Sequence, residues 1–193
     1  ELRFQVSLTL EILVVAQLKT LKRLYLPCIC LAMVSHTPKW VTTGLGFISA
    51  SKVGVILKNG KGQTFTVGAI TYAEEIAQQV IGVKPEPDFK SYDMERGIEN
   101  EWLAIKTYEE RELVEVHSMQ EWRTHHDFAY FGGTPDGLVG LIGGVDVKCP
   151  NNNNHFKNLM HDSQVKDYYD QCQAYMAIFE RDYWDLVSFN ENY

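Results

Sequence analysis

Thr134-Pro135-Asp136-Gly137-Leu138, followed after a glycine-rich turn by Val145-Asp146-Val147-Lys148-Cys149-Pro150, is the stretch on which the fold turns. It reads as a β-hairpin. Asp136 opens one strand, Gly143-Gly144 marks the turn, and Val145 to Lys148 alternates apolar with polar residues. Side chains alternate faces along a strand, so Asp146 and Lys148 are expected on the same face. Two carboxylates beside an ammonium group suit metal-assisted cleavage of a phosphodiester. Carboxylate oxygens are ligands for a hard cation such as Mg²⁺. The lysine can orient or deprotonate the attacking water, or offset charge in the transition state.

At 193 residues the chain is long enough for one α/β domain with a real hydrophobic core. A hydrophobic share of 45% and a charged share of 22% are ordinary for a globular chain. The formal net charge of −7 runs against a nucleic-acid partner, since polyanion binding draws on basic surface. It is compatible with one if the acids gather at a cation site or the basic residues line only a groove. Cys28, Cys30, Cys149 and Cys172 show neither a CxxC pair nor a secreted disulfide framework, which fits a reducing cytoplasm. The apolar run from Leu24 to Val34 is broken by Pro27 and too short to span a bilayer, so no membrane role is expected. Beginning at Glu1 without a methionine, the chain reads as a fragment or a processed form.

Two regions are expected: residues 1–36 as an N-terminal helical segment, and 37–193 as a single domain. Within the first, Leu8 to Leu26 carries Lys19, Lys22 and Arg23 opposite its apolar residues, as an amphipathic helix does. Ser49-Ala50-Ser51 resembles a capped helix start before Val53, Ile56 and Leu57. Helices are predicted over Ile70 to Ile81, stopped by Gly82, and over Tyr92 to Glu112 with Glu101 on one face. Strands are expected at Leu113–Val116 and Phe128–Phe131, leading into the hairpin. Asn151 to Asn154 reads as a polar loop. Helices near His155–His161 and Val165–Arg181 then precede a last strand at Tyr183–Phe189. His125 and His126, adjacent on an extended segment, are expected to point to opposite faces, against joint metal ligation.

Four segments in order resemble the lambda-exonuclease/YqaJ group of phage-type (viral recombinase) alkaline exonucleases, within the PD-(D/E)XK nuclease superfamily. They are Trp40 through Gly46-Phe47-Ile48-Ser49-Ala50-Ser51, then Met94-Glu95-Arg96-Gly97-Ile98-Glu99-Asn100-Glu101, then the hairpin, then Tyr168-Tyr169-Asp170-Gln171-Cys172-Gln173-Ala174-Tyr175. They resemble the family's "G-x-I-T-A-S", "RGxxxE", "SPDGL … E-x-K-C-P" and "QxQ/QxxxY" patterns. Together with Glu101 and Gln171, the hairpin becomes more than a turn with a solvated strand beside it. The implied fold is α/β, a PD-(D/E)XK restriction-endonuclease-like core with a central mixed β-sheet flanked by helices.

The resemblance implies Asp136 and Asp146 as principal metal ligands, the backbone carbonyl of Val147 as a third, and Glu101 completing the carboxylate cluster or binding a second cation. Lys148 would act on the attacking water and Gln171 would line the scissile phosphate. Tyr175 would pack or contact DNA from the same helix face as Gln171. Ser49, Ser51 and Lys52 would meet a DNA phosphate at a helix N-terminus. Gly44 stands where relatives often place an arginine that grips the terminal 5′-phosphate, leaving that grip to Lys39 or Lys52. Two Mg²⁺ ions, replaceable by Mn²⁺, are implied, as is 5′→3′ digestion of linear double-stranded DNA in the cytoplasm of a bacterial or phage-infected cell. A ring-shaped homotrimer and a partner single-strand annealing protein are implied as well. The rival readings are an endonuclease or repair nuclease on the same fold, or a catalytically inactive DNA-binding or assembly module.

Overall fold

The computed structural model describes residues 2–5, 45–58, 65–83, 92–117, 121–161 and 163–193. In chain order the strands and helices are β1 (Leu2–Gln5), β2 (Ile48–Ser49), α1 (Val53–Leu57), α2 (Val67–Val80), α3 (Tyr92–Glu112) and β3 (Val116–His117). They continue with β4 (Arg123–Thr124), β5 (Phe131–Gly133), β6 (Gly137–Val139), β7 (Gly143–Lys148), α4 (Asn152–His161), α5 (Ser163–Phe179) and β8 (Tyr183–Ser188). These described elements form a mixed α/β fold in two compact units. The helix expected over Leu8–Leu26 lies outside the described residues, as do Lys39 and Gly44; ahead of it, Leu2–Gln5 form a strand.

The first unit comprises residues 1–6, 88–120 and 134–193. Its sheet runs β1-β8-β7-β6-β3 and is mixed: β7 pairs parallel to β8 and antiparallel to β6. The alternation of β7 decides what covers each face. Val145 and Val147 pack with Ala104 and Tyr108 of α3 and with Val116 and Val139 of the sheet. Asp146 and Lys148 point the other way, toward Gln171 and Tyr168 of α5. On β8 the same alternation sends Trp184 onto Tyr175 and Phe179 of α5, and Asp185 onto Tyr108 of α3. A sheet covered by one helix on each face results.

Helix α3 spans the range expected from sequence, Tyr92–Glu112. Strand β3 does not follow at once. Leu113 takes the left-handed conformation, φ 55°, and Val114 N–H returns to the Glu109 carbonyl, closing the helix in a Schellman-type turn. The strand therefore starts at Val116, whose N–H is taken by the Glu109 carboxylate at 2.7 Å. Asn151, expected in a loop, caps α4 by accepting the Asn154 N–H at 3.0 Å, and Asn152–Asn154 are helical.

The expected hairpin turn is displaced. The chain reverses at Gly140, φ +53°, through Leu141 and Ile142, whereas Gly143 and Gly144 lie inside β7. A Cβ on Gly143 would strike the Tyr183 ring, and one on Gly144 the Trp184 ring. The two glycines are thus there for close approach of β8 aromatics rather than for turning.

The second unit comprises residues 7–87 and 121–133. Here β5 pairs parallel with β2 and antiparallel with β4. Ile56, Phe65 and Ala69 form its small core between α1 and α2. Helix α2 starts at Val67, three residues earlier than expected, because Thr66 Oγ1 accepts the Ala69 N–H at 3.1 Å. It ends as expected at Gly82, φ +87°, in a Schellman turn. The strand expected at Phe128–Phe131 shifts to Phe131–Gly133, because Phe131 N–H closes a turn on the Phe128 carbonyl. Among the described residues no helix is long and apolar enough to cross a membrane.

Candidate active site

Strand β6 accompanies β7 only as far as the Gly137–Val145 pair, while β8 follows β7 to Lys148. The end of β7 carrying Asp146, Val147 and Lys148 therefore has one edge left open by β6. Lys148 turns its carbonyl to β8, where Phe189 N–H donates to it at 2.9 Å. Backbone direction alternates along the strand, so Val147 presents its N–H and carbonyl to the open edge. Asp136, one residue before β6, caps that edge: its Oδ2 accepts the Val147 N–H at 2.6 Å.

Of the five polar side chains expected to act together, Asp136, Asp146, Lys148 and Gln171 meet at this end of β7. Asp146 is 1% exposed and sits between two partners. Its Oδ1 accepts Gln171 Nε2 at 3.0 Å, and its Oδ2 lies 2.7 Å from Lys148 Nζ. The ammonium meets Oδ2 as a close ion pair, and a carboxylate oxygen so paired still has a second lone pair to offer. Burial and the neighbouring Asp146 push the Asp136 carboxyl up to about 7, with Glu101 adding a smaller upward push; Lys148 and the Val147 N–H pull it back. Lys148 feels the opposite balance. Burial disfavours its charge, but the Asp146 and Asp136 carboxylates outweigh that and raise its pKa above the usual lysine value. Glu101, half-buried on α3, thus acts at Asp136 through its charge.

This donor set fits a hard divalent cation. Two carboxylates, one of them almost wholly buried, and the Val147 carbonyl offer oxygen ligands.

The sequence model of the YqaJ-like viral recombinase domain matches residues 39–182. The chain belongs to this family. Comparison with curated proteins gives no significant match. Among solved structures, the alkaline exonuclease LHK-Exo of Laribacter hongkongensis is similar at 28% identity and TM-score 0.69, over 80% of this chain and 75% of that one. The same exonuclease in complex with dAMP gives 28% identity and TM-score 0.70 with equal coverage. A phage-related exonuclease from Haemophilus somnus 129PT shares the fold at 19% identity and TM-score 0.61, over 75% of this chain and 68% of that one. The YqaJ-like chain thus has the PD-(D/E)XK-like fold of alkaline exonucleases.

Other expected residues fall differently in this YqaJ-like chain. Tyr175, expected to pack or to contact DNA, is buried, stacks on Trp184 with ring centres 5.1 Å apart, and donates its hydroxyl to the Thr134 carbonyl at 2.8 Å. Ser49, in the second unit, caps the 3₁₀ turn Ala50–Lys52, and its Oγ lies 2.8 Å from Ser51 Oγ. Ser51 and Lys52 are exposed.

Also in the second unit, His125 and His126 do not point apart. The segment is bent rather than extended, and their rings stack with centres 4.6 Å apart and planes 18° apart. With Asp127 they form a group whose ligand atoms lie within 4.8 Å of one another. Near-parallel rings do not aim their in-plane lone pairs at one point, and His125 Nδ1 already accepts the Asp127 N–H at 3.1 Å.

Arg96 donates to the Cys149 carbonyl at 2.6 Å and pairs with Glu191 at 3.2 Å. Asn190 holds the adjacent Pro150 carbonyl at 3.0 Å. The C-terminal Asn190-Glu191 turn carries no recognisable motif, so nothing in the sequence marks it as a support for the strand bearing Lys148.

Proposed function

We propose that this chain is a metal-dependent exonuclease that digests linear double-stranded DNA, 5′→3′, in phage-type recombination. The observation that carries this reading is the convergence of Asp136, Asp146, Lys148 and Gln171 on the open end of β7. The family and the likeness to alkaline exonucleases support it.

Asp136, Asp146 and the Val147 carbonyl would hold Mg²⁺, or Mn²⁺ in its place, with Glu101 serving a second ion. Bound there, the cation supplies Lewis-acid stabilisation of charge on phosphoryl oxygens and a more acidic water. Gln171 fixes the Asp146 carboxylate by bonding Oδ1, leaving Oδ2 to face the site. The raised pKa of Lys148 favours its ammonium form, which fits it to orient water and to offset phosphate charge. Ser49, Ser51 and Lys52 are proposed as phosphate contacts. A homotrimer, a single-strand annealing partner and a bacterial or phage-infected cytoplasm complete the reading on the strength of the resemblance.

The test compares end-labelled linear and closed circular duplex DNA, with Mg²⁺ and with EDTA. Metal-dependent loss of the linear form alone, abolished in Asp136→Asn and Lys148→Ala, is expected. Digestion of the circle would show an endonuclease on this fold. Absence of hydrolysis at millimolar Mg²⁺ and Mn²⁺ would overturn the enzymatic reading.

A further inference from the structure

Lys148 has two partners at its ammonium. Its Nζ lies 2.7 Å from Asp146 Oδ2 and 4.9 Å from the centre of the Tyr168 ring. Tyr168 is on α5, three residues before Gln171, so both side chains project from neighbouring positions on one helix face. It is half-buried, as a residue at the edge of a site is.

We infer that Tyr168 is a positioning residue for Lys148, its ring face holding the ammonium in the direction needed at the reacting phosphate. This rests on the proposed reading of Lys148 as the group that orients water. Lysine is a compact charge on a flexible four-carbon stem. A single carboxylate oxygen at 2.7 Å fixes the distance of the head but leaves it able to turn about that oxygen. The negative face of an aromatic ring attracts a cation within about 6 Å of its centre. A ring face and a carboxylate oxygen, both within reach of Nζ, restrict that swing more than the carboxylate does alone. Because the ring does this work and not the hydroxyl, phenylalanine should replace tyrosine, and an aliphatic residue of similar bulk should not.

The full-length protein tests this with Tyr168→Phe and Tyr168→Leu, using linear duplex DNA and Mg²⁺. Tyr168→Phe is expected to keep kcat within about twofold, and Tyr168→Leu to lose about tenfold in kcat with KM unchanged. A direct readout needs no activity. In protein carrying ¹³C-labelled lysine, the Lys148 ε-methylene protons, assigned by their loss in Lys148→Arg, should be shifted upfield by the ring current. That shift should persist in Tyr168→Phe and vanish in Tyr168→Leu. A rise in KM with kcat unchanged in Tyr168→Leu would mean that the ring meets nucleic acid instead, and would overturn the inference. Equal damage from both substitutions would assign the role to the hydroxyl and overturn it too. A wild-type chain that hydrolyses no DNA sinks the reading of the site and, with it, any part for Tyr168 in hydrolysis. A fully active Tyr168→Leu sinks only the inference about Tyr168.

Discussion

Nη2 of Arg96 donates a 2.6 Å hydrogen bond to the carbonyl oxygen of Cys149, the residue after Lys148. A guanidinium from α3 thereby holds the end of the strand that carries the candidate catalytic lysine. The same guanidinium pairs with Glu191, to which Asn100 also donates at 3.2 Å. Arg96→Ala is expected to cost about 2 kcal/mol, the range of a hydrogen bond to a charged group. Arg96→Lys should recover less than half of it, since one ammonium cannot reproduce a two-pronged contact. Urea unfolding monitored by tryptophan fluorescence measures both; an unchanged midpoint in Arg96→Ala would refute the latch.

The Asp136 carboxyl, pushed up to about 7 by burial and Asp146, gives a pH dependence of definite sign. Its folded pKa lies above the unfolded value of about 3.9. The folded state therefore holds an extra proton between those values. The stability this contributes is full below about pH 4 and is lost as pH rises through 7. In EDTA at pH 8, Asp136→Asn should raise Tm by on the order of 5 °C. At pH 4 it should not.

The same proton competes with a cation. Mn²⁺ affinity, followed by calorimetry, is expected to fall about tenfold for each pH unit below 7 and to level off above it. Gln171→Leu removes the donor to Asp146 Oδ1 and should weaken Mn²⁺ binding by about 10- to 100-fold, beside a loss of about 1–3 kcal/mol in stability from the buried carboxylate left without that donor. A pH-independent affinity would mean that Asp136 is not a ligand.

Tyr108 donates its hydroxyl to Asp185 Oδ2 at 2.7 Å, and Asp185 is fully buried in β8. Tyr108→Phe strips that partner from a buried carboxylate without changing the packing of the ring. Destabilisation of about 1–3 kcal/mol is expected by chemical denaturation. A loss below about 0.5 kcal/mol would show that the other contacts of Asp185 suffice.

Much of this was legible in the sequence where the determinants are local. Helix α3 has its limits at the expected residues, and the alternation of Val145 to Lys148 put Asp146 and Lys148 on one face. What could not be read depends on distant partners or on single backbone angles. Gly143 and Gly144 resemble a turn, yet the reason for them lies about forty residues on, in Tyr183 and Trp184. Leu113 and Glu180 adopt positive φ to end their helices, a place where glycine is the usual signal. Adjacent histidines diverge only on an extended backbone, and the bend at His125 and His126 brings their rings together. Gln171 and Glu101 emerged only through family resemblance, since a glutamine or glutamate on a helix carries no chemistry by itself.

The glycine pair also fixes an address. Gly143 and Gly144 are the positions of β7 that can lie beneath Tyr183 and Trp184, because any side chain there collides with a ring. Sliding β7 by one residue would bring Val145 under Trp184 and exchange the two faces of the strand, turning Asp146 and Lys148 into the valine-lined core. Residues without a side chain thus act as a key, admitting one register and rejecting its neighbour. Gly144→Ala should consequently cost about 1–3 kcal/mol or more through overpacking, whereas Gly140→Ala, with open space but φ +53°, should cost only about 1–2 kcal/mol. If strand slippage follows the larger substitution, nuclease activity and cation binding will disappear together in a protein whose acidic residues and lysine are all still present.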